Sequence, residues 1–132
     1  MHHHKIVHCD IKPENILLKS YNRSGIKITD FGSGCFLKDK LYTYIQSRFY
    51  RAPEIILGIS YGMAIDMWSL GLVLTELYNG YPLLPGSNEC EQLSMMQQII
   101  GEPPKNLVKN ANRKSLFFTK ENKLKPCKNE KG

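Results

Sequence analysis

At 132 residues with 42% hydrophobic side chains, the chain is long enough to enclose one core and too apolar to stay disordered. Its net charge of +6 is lopsided: residues 1–104 carry 9 Lys/Arg against 10 Asp/Glu, and residues 105–132 carry 9 against 2. The basic character therefore belongs to the tail, which lacks the interleaved aromatics of a nucleic-acid stripe and reads as a solvated end packed through Phe117 and Phe118, so nucleic acid is not an expected partner.

No apolar run reaches membrane-spanning length and no hydrophobic leader follows Met1, which excludes a membrane partner from the expectations. The four cysteines, Cys9, Cys35, Cys90 and Cys127, are widely spaced and form no C-x-x-C pair. Neither a zinc site nor a disulfide framework is expected, and reduced thiols in a cytoplasmic or nuclear setting fit best. The histidines at 2–4, whether a clipped tag or native, are assigned no function.

In chain order, the first feature is the polar turn "HCDIKPEN" at 8–15. The β-rich runs "NILLK" (15–19) and "IKIT" (26–29), joined by "SYNRSG", predict an antiparallel hairpin. Such pairing brings Asn15, just before the first strand, beside Asp30, just after the second, and Asp10 joins them on one open edge. Two carboxylates and an amide oxygen are hard ligands suited to Mg²⁺, and Lys12 adds a point charge for a phosphate. From Asp30 to about Glu54 the sequence has no helical period, and so long a connection points to function or mobility. "AIDMWSLGLVLTELYNG" (64–80) is apolar on nearly all sides and predicts a buried helix stopped by Gly80 and Pro82. Asn88 with Glu91 predicts a capping box opening a helix that ends at Gly101, before Pro103 and Pro104. Lys-rich residues follow, with the apolar knot "LFF" at 116–118.

"HCDIKPEN", "DFG" (30–32) and "APE" (52–54) stand in the order and spacing of the protein-kinase catalytic loop, metal-binding motif and activation-segment end. "YTYIQSRFYRAPE" and "GYPLLPG" narrow this to a resemblance to the dual-specificity tyrosine-regulated kinases (DYRK) of the CMGC group, whose catalytic loop also has Cys for Arg. The resemblance covers most of 5–104, loosens through 118, and implies an α+β kinase-like fold: a partial, mainly helical C-terminal lobe over 1–104 and a basic segment over 105–132 akin to the group's insert.

The roles that follow are implied by the resemblance. Asp10 is the base that orients and deprotonates the substrate hydroxyl, and Lys12 contacts the γ-phosphate of ATP. Asn15 and Asp30 hold Mg²⁺, and Leu17 lies under the adenine. Tyr44 is self-phosphorylated and clamped by Arg48 and Arg51, the usual loop arginine being Cys9 here. His8 and Phe31 join the regulatory stack, Glu54 pairs with an arginine far downstream, and Glu14 meets a basic residue of a protein substrate with proline after the acceptor. Asp66 bonds the catalytic-loop backbone, although on chemistry alone it reads as an acid favoured near a helix N-terminus. Tyr42 and Tyr44, alternating with Leu41, Thr43 and Ile45, read without the resemblance as a half-buried strand.

A glycine-rich lid, a strand lysine and a helix glutamate have no room before Lys5, so the expected object is a fragment with little or no activity alone. A non-catalytic binding fragment is the rival reading. Glu54 is expected to be a buried carboxylate without its partner, and Leu17 and Leu18 to lie on an exposed apolar face. Oligomeric state is not legible.

Overall fold

The computed structural model describes residues 1–39 and 43–127. Four strands, β1 (Ile6–Val7), β2 (Ile16–Ser20), β3 (Arg23–Ile28) and β4 (Cys35–Phe36), precede five helices: α1 (Pro53–Ile56), α2 (Ala64–Asn79), α3 (Glu89–Ile100), α4 (Lys105–Lys109) and α5 (Lys114–Phe117). The expected hairpin is β2–β3, with Ile16 opposite Ile28 and Leu18 opposite Ile26. A register shift between Leu18 and Ser20 lets Ser20 pair with Arg23, so the connection shortens to Tyr21 and Asn22. The short antiparallel pair β1–β4 was not foreseen; at two residues each, its strands are too brief for a periodic signal.

Both strands of the hairpin face solvent along most of their length, as expected for Leu17 and Leu18. Helix α2 differs from expectation. Ile65, Ser69, Leu72 and Val73 are buried, while Met67, Leu74, Leu77 and Tyr78 lie open on the other side. The helix is apolar all round, but the described residues wrap only one of its faces. Its end is as predicted: Gly80 takes φ +84°, and its N–H bonds Glu76 O at 2.7 Å, a left-handed stop that only glycine adopts without penalty.

At the start of α3, Asn88 accepts the Glu91 N–H at 2.9 Å as predicted. The Glu91 carboxylate reaches back past the cap to the N–H of Ser87 at 2.8 Å, so the box closes one residue early. Gly86 is needed here because a Cβ would stand 2.5 Å from Gln92 Oε1 and 2.8 Å from Gln92 N. We expect Gly86→Ala to force α3 outward at a cost of about 1–3 kcal/mol, read as a lowered urea midpoint at unchanged slope.

The larger core joins Ile11, Tyr50, Ile56, Leu57 and Leu72 to Leu93, Met96, Val108, Phe117 and Phe118. Phe117 and Phe118 pack as expected, with only Leu116 of the apolar knot exposed, but Val108, Leu107 and Leu124 join them, so more of residues 105–125 shares the core of α1–α3 than a solvated end would. The smaller core gathers Val7, Cys9, Ile45, Ile55, Tyr61 and Ile65 under the polar turn. Against expectation, Cys90 and Cys127 form a disulfide, which ties the start of α3 to the tail across 37 residues; sequence spacing cannot reveal two thiols brought together by folding. Among the described residues no helix is long and apolar enough to cross a membrane.

Candidate active site

The polar turn is fixed from below by α2. Asp66, buried in the first turn of that helix, accepts the N–H of His8 at 2.8 Å and of Cys9 at 3.0 Å. The carboxylate thus binds the loop backbone, as the resemblance implies, and is more than the helix-dipole acid that chemistry alone suggests. His2 also donates to it from Nε2 at 2.8 Å, giving that histidine a structural contact the sequence did not suggest.

Three of the five non-glycine residues with positive φ among the described residues line this region: Cys9 (66°), Asp30 (61°) and Gln46 (69°). Such strain persists only where surrounding bonds over-determine it, and it gathers at functional sites. For Gln46 those bonds are explicit: its side chain donates to Ile65 O and Ser69 Oγ at 2.9 Å each, and accepts the Ala52 N–H at 2.7 Å. That staple delivers the next residue, Ser47, onto Asp10.

Asp10 is the best-braced acid of the turn. Its Oδ1 accepts Ser47 N–H at 3.0 Å and Ser47 Oγ–H at 2.8 Å, and its Oδ2 faces Lys12 Nζ at 3.0 Å. Asn15 donates its amide to Asp10 O at 2.9 Å and more loosely to Oδ2 at 3.5 Å. Burial alone would raise the Asp10 carboxyl, but the hydrogen bonds from Ser47 and Lys12 outweigh it and hold the group below its ordinary 3.8. The hydrogen bond to Asp10 in turn holds the Lys12 ammonium above its ordinary range, against partial burial. Asp10 therefore contributes stability that is fully present above pH 3.8 and is lost as the pH falls through its lower folded value. In a carboxyl-carbon NMR titration Asp10 should titrate below 3.8, and Ser47→Ala should move that midpoint upward; no movement would mean that Lys12 alone sets it.

Hairpin pairing ends with Thr29 N–H on Asn15 O at 2.9 Å, so Asn15 and Asp30 flank one hairpin end as expected. Asn15 is buried and Asp30 exposed. Asn15 Oδ1 accepts no hydrogen bond among the described residues, and the Asp30 carboxylate holds only the Gly32 N–H at 3.3 Å. Those free oxygens suit a hard cation that keeps water and phosphate ligands. Among the described residues no three His, Cys, Asp or Glu side chains converge, so an all-protein cage is not built here.

His8 and Phe31 meet edge-to-face at 4.8 Å between ring centroids. His8 Nδ1 accepts the Asp10 N–H at 3.2 Å, so its proton sits on Nε2 and is donated to Thr29 O at 2.9 Å. Glu14 and Leu17 are exposed on either side of Asn15. Cys9, where an arginine would stand, lies 4.0 Å from Cys35 Sγ; burial, then Cys35, then Asp66 and Asp10 push its thiol far up, so it stays protonated.

The remaining candidates are less clustered. Tyr44 lies in an exposed bend, not a strand, and Leu41 and Tyr42 fall outside the described residues. The Arg51 guanidinium carbon stands 4.3 Å from the Tyr44 ring centroid. Arg51 is buried and bonds Ile45 O, Gln46 O and Glu89, whereas Arg48 reaches away to Ser87 O at 2.6 Å. Glu54 is half-buried instead of buried and forms no ion pair among the described residues; its place in the first turn of α1 keeps the carboxylate near water. Ser47, Gln46, Glu89 and Arg113 escaped the sequence reading. Ser47 had the best signal, as a hydroxyl directly before "RFYRAPE".

The protein kinase domain model matches residues 1–125. The chain is 58% identical over 127 residues to dual specificity tyrosine-phosphorylation-regulated kinase 2 of Drosophila melanogaster, covering 96% of this chain and 18% of that protein. It is 55% identical over 124 residues to the probable serine/threonine-protein kinase dyrk2 of Dictyostelium discoideum, covering 94% and 14%. It is 52% identical over 128 residues to human dual specificity tyrosine-phosphorylation-regulated kinase 4, covering 97% and 25%. The chain thus spans between a seventh and a quarter of the length of these relatives.

Proposed function

This chain belongs to the protein-kinase family, in its dual-specificity tyrosine-phosphorylation-regulated branch, and from that premise we propose that it carries the catalytic segment of a kinase that transfers the γ-phosphate of ATP to Ser/Thr of proteins and to its own Tyr44. The observation that supports this most is the Ser47 hydroxyl donating to Asp10 Oδ1 at 2.8 Å. A substrate hydroxyl needs that same contact to be oriented and to release its proton as the phosphoryl group arrives.

In this reading Asp10 takes the proton, and the Lys12 ammonium keeps the carboxylate ionised and offsets charge on the transferred group. Asn15 Oδ1 and Asp30 would hold Mg²⁺, which supplies charge neutralisation for the phosphates of ATP. Leu17 offers its exposed side chain to the adenine. Glu14, exposed beside Asn15, takes a basic substrate residue, and proline after the acceptor fits the branch. Arg48 and Arg51 clamp phosphorylated Tyr44, and Glu54 awaits its arginine elsewhere in the kinase. Protein substrates in the cytoplasm or nucleus complete the proposal. A binding role draws support from the open apolar faces of α2 and the hairpin and is the second reading.

The test is a chimera in which this chain replaces the matching segment of the Drosophila relative. The expected result is Ser/Thr transfer to a proline-directed peptide and one phosphate on Tyr44, both lost with Asp10→Asn. A folded chimera that binds Mg·ATP yet transfers nothing would leave the binding role standing. On its own, the chain is proposed to hold ATP too weakly for catalysis; saturation at micromolar Mg·ATP would contradict that.

A further inference from the structure

Glu89, at the first position of α3, is shared by two guanidinium groups. Arg51 Nη1 and Arg113 Nη1 donate to its Oε1 at 3.1 and 3.2 Å, and Arg113 Nη2 donates to Oε2 at 2.7 Å. Neither arginine depends on that carboxylate for its position. Arg51 is anchored by Nε on Ile45 O at 3.1 Å and by Nη2 on Gln46 O at 2.7 Å. Arg113 is anchored by Nη1 on Ile56 O at 2.8 Å, with its guanidinium carbon 5.2 Å from the Phe117 ring centroid. Main chain and an aromatic ring thus aim two fixed cations at one acid.

Beside them stands Tyr44, 70% exposed, its ring stacked under Arg51. The Arg113 guanidinium is held above its ordinary range first by its hydrogen bond to Glu89, against partial burial, with smaller charge contributions from Glu89 and Tyr44. One carboxylate leaves the pair of guanidiniums with a surplus positive charge. A phosphotyrosine carries about −1.5 to −2 at pH 7 and three acceptor oxygens, and would neutralise that surplus with forked hydrogen bonds.

We propose that Arg51 and Arg113 form a ready-made receptor for a phosphate on Tyr44, in which Glu89 holds the phosphate's place until the tyrosine is modified. This rests on the reading of Tyr44 as a phosphorylated residue and adds to it a clamp residue from the basic segment 105–125 and a competing acid from α3. Phosphorylation then ties the activation segment to that segment through Arg113.

The test removes any dependence on the chain's own activity. Phosphotyrosine is incorporated at position 44 during synthesis, and its second ionisation is followed by phosphorus NMR, with thermal melts to show that each variant is folded. The unmutated chain should titrate below free phosphotyrosine. Arg113→Gln should raise that pKa by roughly 0.5 or more, and Arg113→Lys should restore part of it. Glu89→Gln should lower it further, because a competitor is removed. An acid that merely holds two arginines in place would give the opposite sign, and that result overturns the proposal. If Arg48→Gln raises the pKa and Arg113→Gln does not, Tyr44 is clamped but Arg113 has no part in it. If every variant titrates like free phosphotyrosine, the clamp reading of Tyr44 falls together with the proposal.

Discussion

Asp66→Ala is expected to lower the thermal midpoint by roughly 10 °C or more and to release the polar turn from α2. The side chain is 3% exposed and accepts two backbone N–H groups, at 2.8 Å from His8 and 3.0 Å from Cys9. Truncation leaves both donors buried without acceptors, at about 1–3 kcal/mol each. Asp66→Asn keeps one acceptor but turns an amide N–H toward a backbone N–H, so it should also destabilise. A helix-dipole role alone would be worth about 0.3–1 kcal/mol. A melt that moves by only a few degrees would restore that simpler reading, and amide exchange at His8 and Cys9 separates the two directly.

Opening the Cys90–Cys127 bond has the second large expected effect. A crosslink spanning 37 residues is worth about 3–4 kcal/mol if its role is to restrict the unfolded chain. Cys127→Ser, or reductant on the unmutated chain, should lower the urea midpoint accordingly. The same change loosens a cavity of about 290 Å³, where Phe118 and Leu124 close over Leu57, Leu93 and Met96. Equal midpoints with and without reductant would mean that the tail is held by Val108, Phe117, Phe118 and the Arg113 contacts without help from the disulfide. In a reducing compartment that packing is what remains.

The site was legible in the sequence wherever chemistry is carried by consecutive residues. Asp10, Lys12 and Asn15 share one turn, and hairpin pairing brings Asp30 to the same end as Asn15 without any long-range information. Helices α2 and α3 were legible because Gly80, Asn88 and Gly101 mark their ends. What escaped depends on distant chain segments meeting. Glu89 bonds Arg51 and Arg113 across 38 and 24 residues, and Cys90 finds Cys127 only because the tail folds back. The exposed face of α2 failed for a related reason: an apolar helix states what it can bury, not what is present to bury it. Alternation alone suggests a strand at Tyr44, where the backbone is an exposed bend, so periodicity by itself misleads there.

The shared core has a consequence for the timing of synthesis. Helix α1 begins at Pro53, yet its packing partners Phe117 and Phe118 are made more than sixty residues later. At 5–20 residues per second, Ile56 and Leu57 wait roughly 3 to 13 seconds for the aromatic pair that covers them. During that interval the ribosome-bound chain presents the open side of α1 and α3 together with the uncovered stripe of α2. Chaperone contact should therefore be densest between the emergence of α2 and that of α5, and should fall once Phe118 is out.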